Sequence, residues 1–235
     1  MQEKSQSRTA QDSPKSAARF VRRGAASIRA SAQGLSQYRA EYQSLIDWAD
    51  QAGRRLPFSF IEQFDFVGEG TEHRVYKKAA ADSLAIKSTL PNKFGYSTQK
   101  EGAWASPVEY LKRLAWQNLL FCDDIQIVGV AYEDGQMEVV TSQPWISAHE
   151  FRPNPMKEEI DQYMGDFGFI STSFDLDTPL YYSVDLGLLA ADAHDRNIIR
   201  DLDGKLNAID LIIGPPSESM KARIGKFLQS AEIPF

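Results

Sequence analysis

The chain has one cysteine, Cys122, and three histidines in 235 residues. A single thiol excludes an intrachain disulfide and a cysteine-based zinc cluster, which fits a reducing compartment. Cys122 follows Leu119-Leu120-Phe121 and reads as a core residue. The histidines, His73, His149 and His194, stand far apart with no second Cys or His beside them, so zinc-hydrolase spacing is missing. No apolar run approaches the roughly 18 residues of a membrane span, and residues 1–14 lack the apolar region of a signal peptide. The expectation is a cytoplasmic protein with no membrane partner. A Gly-x-Ser-x-Gly elbow is also absent, which removes the usual mark of a serine hydrolase.

Charge of one sign is scarce at the start. Residues 1–35 carry seven basic side chains against two acidic ones, a net +5, so the remainder of a chain of net charge -6 carries -11. A Ser-, Ala- and Arg-rich opening of this kind predicts a basic tail without fixed structure over residues 1–34. Nucleic acid is a candidate partner through that tail alone.

What is present has the order of a two-lobed domain. Apolar residues recur at helical spacing through residues 36–52, with Gly53 as a stop, and predict a docking helix within 35–54. Strands are expected over residues 58–67, around Val75 and over 84–87, with a glycine turn at Gly68 to Gly70. Ser106-Pro107-Val108-Glu109 opens a helix with a capping Ser and Pro at the first position. Residues 125–132 and 137–141 flank Asp134-Gly135 and predict a hairpin. This β, β, β, α, β, β order, over 55–146, is that of a kinase amino-terminal lobe ending in a linker at 142–146. Residues 147–235 form a short carboxy-terminal lobe, read as mostly helical, with helices near 155–164 and 220–228 and a loop over 170–179.

Asp192 is followed five positions on by Asn197, and thirteen further on by Asp210. In phosphoryl transfer an Asp that orients the hydroxyl precedes, by this interval, an Asn that holds a metal. The longer step accommodates one hairpin, with residues 198–200 up, Asp203-Gly204 turning and residues 206–209 back, which returns Asp210 to the side of Asn197. Asp210, after Ala208-Ile209, reads as a buried strand carboxylate in need of a cation. Upstream, Leu84-Ala85-Ile86-Lys87 supplies a strand lysine for phosphates, and Glu109 is its candidate ion-pair partner. Gly68 and Gly70 let backbone approach a phosphate, and Val75 can cap an adenine. Each of these has a bland reading as a turn or a solvated side chain, and their order along one chain favours the chemical one.

With these residues assembled, the chain resembles the kinase-like domain of bacterial polyvalent proteins. The likeness runs from about Leu45 to about Gly214 and includes Glu72-His73-Arg74-Val75-Tyr76, Tyr110-Leu111-Lys112-Arg113-Leu114 and Val140-Thr141-Ser142-Gln143-Pro144. The resemblance implies an α+β, protein-kinase-like fold, ATP and Mg2+ as cofactors, and transfer to a Ser, Thr or Tyr hydroxyl. It also implies an adenine-contacting hinge over residues 142–145, Gln143 and Trp145 included. Asp210-Leu211-Ile212 departs from the usual Asp-Phe-Gly, and no Ala-Pro-Glu segment follows. Transfer to a small molecule, a nucleotide-binding pseudokinase and AMP transfer are the rival readings.

Overall fold

A continuous buried run at residues 85–89, preceded by buried His73 and Tyr76, sets the middle of a sheet, because central strands are covered on both faces. The computed structural model describes residues 13–31, 35–78, 84–172 and 179–230. It is α+β and divides into two units, each with its own core.

The first unit takes the described residues up to Gly95 together with 106–115 and 125–143. Its sheet is ordered β1-β5-β6-β4-β3-β2, from β1 (Arg55–Leu56), β2 (Asp65–Glu69), β3 (His73–Lys77), β4 (Leu84–Thr89), β5 (Gln126–Glu133) and β6 (Gln136–Pro144). Asp134-Gly135 joins β5 to β6 as a two-residue turn with both φ positive, 49° and 75°, the twist a tight hairpin prefers. The strand expected over residues 58–67 begins only at Asp65. Phe58–Gln63 is a 3-10 helix, and Phe60, Ile61 and Phe64 pack on Tyr76, Ile86 and Val140 at a spacing that suits a helical turn.

Two helices from the amino-terminal segment lie in this unit. The unstructured tail expected over residues 1–34 is instead, across α1 (Pro14–Ser31), an α-helix; residues 1–12 and 32–34 lie outside the described residues. Ala17, Ala18, Val21 and Ala25 form its buried stripe, and small side chains let it approach α2 (Gln37–Gln51) closely. At Gly24 an added Cβ would stand 2.1 Å from Ser44 Oγ. The docking helix is as expected: Ser36 caps α2 by accepting the Arg39 N–H at 3.3 Å, and Gly53, at φ 64°, follows its end. The next helix, α3 (Pro107–Phe121), gives residues 107–115 to the first unit and 116–121 to the second.

The second unit holds residues 96–105, 116–124 and those from Pro144 on. Helices α4 (Lys157–Asp166) and α5 (Glu218–Ser230) match the expected positions. Beside them is a four-stranded antiparallel sheet, β12-β9-β8-β7, that was not foreseen. It is built from β7 (Ile170–Ser171), β8 (Leu180–Ser183), β9 (Leu188–Ala191) and β12 (Ile212–Gly214). Part of the expected loop, residues 173–178, lies outside the described residues. A separate hairpin pairs β10 (Ile198–Arg200) with β11 (Leu206–Ala208). Cys122 is exposed at φ 57°, just past the end of α3, and is not a core residue. Among the described residues no helix is long and apolar enough to cross a membrane.

Candidate active site

Register across β2, β3 and β4 aligns three of the residues singled out above. Gly68 pairs with Val75, and Val75 with Lys87, so the three share one face of the sheet in a row. A bulge after Phe66 places Gly68 within the strand, and the turn is closed further on, where the Gly70 N–H donates to the His73 carbonyl at 2.8 Å. Above Gly68 an added Cβ would meet nothing within 4 Å, which leaves that part of the face open to a ligand's approach. Lys87 is only 8% exposed, where an ammonium needs anionic company.

Helix α3 covers the same face, because His73 alternates in phase with Val75 and its Nε2 lies 3.0 Å from the Tyr110 hydroxyl. Glu109, in the first turn of α3, is half-buried. A second contact was not anticipated. Arg113 donates to both Glu72 oxygens, at 2.9 and 2.6 Å, and both side chains are buried. On β6, Gln143 is buried and falls in phase with Val139, whose N–H donates to Thr89 Oγ1 on the Lys87 face. The division between units falls after Gln143, so half-buried Trp145 belongs to the second.

In the second unit, β9 runs into the loop 192–197. Ala193 and Ile198 are buried in one cluster with Ala190, Ala208 and Leu211, which pins both ends of the loop and turns its polar residues outward. Asp192 has φ 63°, a left-handed conformation that Asp tolerates better than most side chains. Asn197 Nδ2 donates to the Asp192 carbonyl at 3.0 Å and to its carboxylate Oδ2 at 2.7 Å. His194 Nδ1 accepts the Arg196 N–H at 3.1 Å, which assigns the proton of a neutral ring to Nε2, 3.2 Å from Asp192 Oδ1. Asp192 thus accepts a hydrogen bond at Oδ2 and has the His194 ring beside Oδ1.

The hairpin returns as expected. Ile198 pairs with Ala208 and Arg200 with Leu206, and the Ile209 N–H donates to the Asn197 carbonyl at 2.9 Å, which sets Asp210 beside Asn197. Asp210 itself is half-buried in a bend after β11, and not in a strand as first read. Its neighbour Leu211, fully buried, is what anchors the turn. The hairpin is fastened to α4, where the Tyr163 hydroxyl accepts the Ala208 N–H at 3.2 Å and Glu159 pairs with Arg200 at 2.7 Å. Within the hairpin turn, Asp201 accepts from the Asp203 and Lys205 N–H groups and from Asn207 Nδ2. Burial pushes the Asp201 carboxyl up, but these donors outweigh it and hold the group below the usual carboxylate range.

Within each unit the residues fit the parts of a nucleotide site. Asn197, with both amide protons directed at Asp192, keeps its side-chain oxygen as a ligand atom, and Asp210 adds a second hard oxygen donor. A sequence profile of serine/threonine/tyrosine kinases found in polyvalent proteins matches residues 38–214, three quarters of the chain. The chain belongs to that family. Membership in this polyvalent-protein kinase family makes it a kinase by kinship, hence a transferase, and kinases as a class use ATP with a divalent metal. A comparison with curated proteins finds no match.

Proposed function

We propose that this member of the polyvalent-protein kinase family is an ATP- and magnesium-dependent kinase of the cytoplasm that transfers the γ-phosphoryl group to a hydroxyl of a protein. The observation that carries the reading is the Asn197 clamp: its amide holds Asp192 twice, while its carbonyl takes the Ile209 N–H beside Asp210. Turn-forming residues alone do not account for a carboxylate held by the Asn197 amide and met by the His194 ring at a left-handed backbone position.

In this reading Gly68 and Gly70 let backbone approach the phosphates, Val75 covers the adenine, and Gln143 and Trp145 contact its edge. Lys87 binds the α- and β-phosphates, with Glu109 as its ion-pair partner. Asn197 and Asp210 hold magnesium through oxygen. Magnesium, when bound, neutralises charge on the phosphate oxygens. Asp192 orients the acceptor hydroxyl and takes its proton as the hydroxyl oxygen bonds to the γ-phosphorus and the bond to the β–γ bridging oxygen breaks, leaving ADP.

The test is transfer itself. The purified chain with Mg-ATP and a protein acceptor, itself included, is expected to add phosphate, read by intact mass, and chelation of the metal should stop it. Asp192→Asn keeps a side chain suited to the left-handed backbone yet removes the carboxylate, and Asp210→Asn removes a metal ligand; each should slow transfer by about a thousandfold or more. Wild-type protein without ATP turnover, or variants that keep it, would overturn the assignment. An AMP adduct, or transfer confined to a small-molecule acceptor, would replace it with one of the rival chemistries.

A further inference from the structure

Helix α1 carries Lys15, Arg19, Arg22, Arg23 and Arg29, all exposed, and no acidic residue. At 100° per residue the five cations fall within an arc of roughly 120°, and they span about 21 Å along the axis. The arc lies away from Ala17, Ala18, Val21 and Ala25, which are buried. Among the described residues Lys15, Arg19, Arg22 and Arg23 have no acidic partner, and Arg29 donates to the neutral Gln37 at 2.5 Å. The exposed carboxylates of the neighbouring helix are engaged elsewhere, Asp47 with Gln43 and Asp50 with Arg55. In a chain whose remainder is strongly acidic, five cations on one ridge make a concentrated field of opposite sign.

We propose that this ridge binds the phosphate backbone of a duplex nucleic acid without regard to sequence. Four of the five cations are arginines, whose planar fork matches phosphate oxygens. The other exposed residues of the helix are Ser16, Ala26, Ser27, Ala30 and Ser31, small enough to let a sugar-phosphate chain lie close. Over about 21 Å a DNA duplex offers about twelve phosphates, ample for five cations. A membrane surface fits less well, because the apolar stripe that would enter a bilayer is already buried in the fold. A single strand also fits less well, because the exposed arc has no aromatic ring on which bases could stack; the helix's one aromatic, Phe20, is half-buried.

The experiment uses the full chain and fluorescence anisotropy with labelled 20-base-pair DNA and RNA duplexes of two unrelated sequences. With four to five phosphates neutralised, affinity should fall roughly 100- to 500-fold between 50 and 200 mM salt, and the two sequences should bind alike. Arg19→Glu/Arg22→Glu/Arg23→Glu should abolish binding with helicity and Tm unchanged. If that variant does not fold, the corresponding triple Gln variant should flatten the logarithmic salt slope by about 3. No duplex binding at 50 mM salt, binding that neither triple variant alters, or tighter binding to phosphatidylserine vesicles or to a single strand would each overturn the proposal. So would arginine-dependent self-association in place of duplex binding.

Discussion

Burying a carboxylate with a guanidinium costs more desolvation than their attraction returns unless nearly every proton and lone pair finds a partner. Glu72 and Arg113 approach that condition with two parallel bonds, at side-chain exposures of 8% and 3%. They fasten the glycine-bearing turn to α3, and the contact between His73 and Tyr110 repeats the link one residue on. Gly95, at φ 75°, closes the pocket: a Cβ there would stand 2.6 Å from Arg113 Nη1. Arg113→Ala leaves a buried carboxylate and should cost about 3–5 kcal/mol, lowering Tm by roughly 10 °C in a chain of this size. Replacing both partners, Glu72→Leu with Arg113→Met, should cost less than the single change. A thermal melt of the two variants decides it, and a double variant as costly as the single one would overturn the account in which the stranded Glu72 carboxylate carries the loss. The contact of Asn197 with Asp192 and the return of the hairpin to Asp210 were legible in sequence because a local segment fixes those intervals. The Glu72–Arg113 pair joins residues 41 positions apart, and nothing in either segment announces the other.

At the scale of elements, the amino-terminal end of α3 is capped from two directions. Ser106 accepts the Glu109 N–H at 3.3 Å, and the buried Glu41 of α2 accepts the Val108 N–H at 3.1 Å while its other oxygen takes the Gln37 amide at 2.6 Å. A carboxylate there also meets the positive end of the helix dipole. Glu41→Ala should therefore cost about 1–3 kcal/mol, whereas Glu41→Gln, which retains an acceptor, should cost less than half as much. Urea midpoints rank the two, and equal losses would assign the effect to packing alone. The capping Ser106, the Asp-Gly turn and the β10–β11 hairpin could all be read from the sequence, because their signals sit within a few residues. The sheet of β7, β8, β9 and β12 could not, since its strands are short and its outer members lie some 40 positions apart. Helix α1 was hidden by composition: an Ala stripe is a weak hydrophobic signal until a neighbour as close as Ser44 gives it a surface.

Across the whole molecule, buried phenols link elements and resist ionisation. Burial, with Tyr132 and Tyr38 nearby, pushes Tyr42 up to about 12. Burial also raises Tyr163 and Tyr181, the latter reinforced by its bond to Asp161 at 2.7 Å. A raised folded-state value favours the protonated phenol, so this stabilisation is complete below the ordinary tyrosine value near 10 and is lost as pH climbs through 12. Of the nine tyrosines, these three should ionise only with unfolding, as a late step in phenolate absorbance that coincides with loss of helical circular dichroism. Nine phenols titrating together near 10 with the fold intact would contradict the burial. The same integration bears on how the chain may be divided. Kinship covers residues 38–214, yet the cap of α2 at Ser36, the Gln37 partner of Glu41, the α1 cover over Ser44 and all of α5 lie outside that span. A gene fragment cut at the borders of family likeness would therefore leave open the helix ends and faces that those segments close.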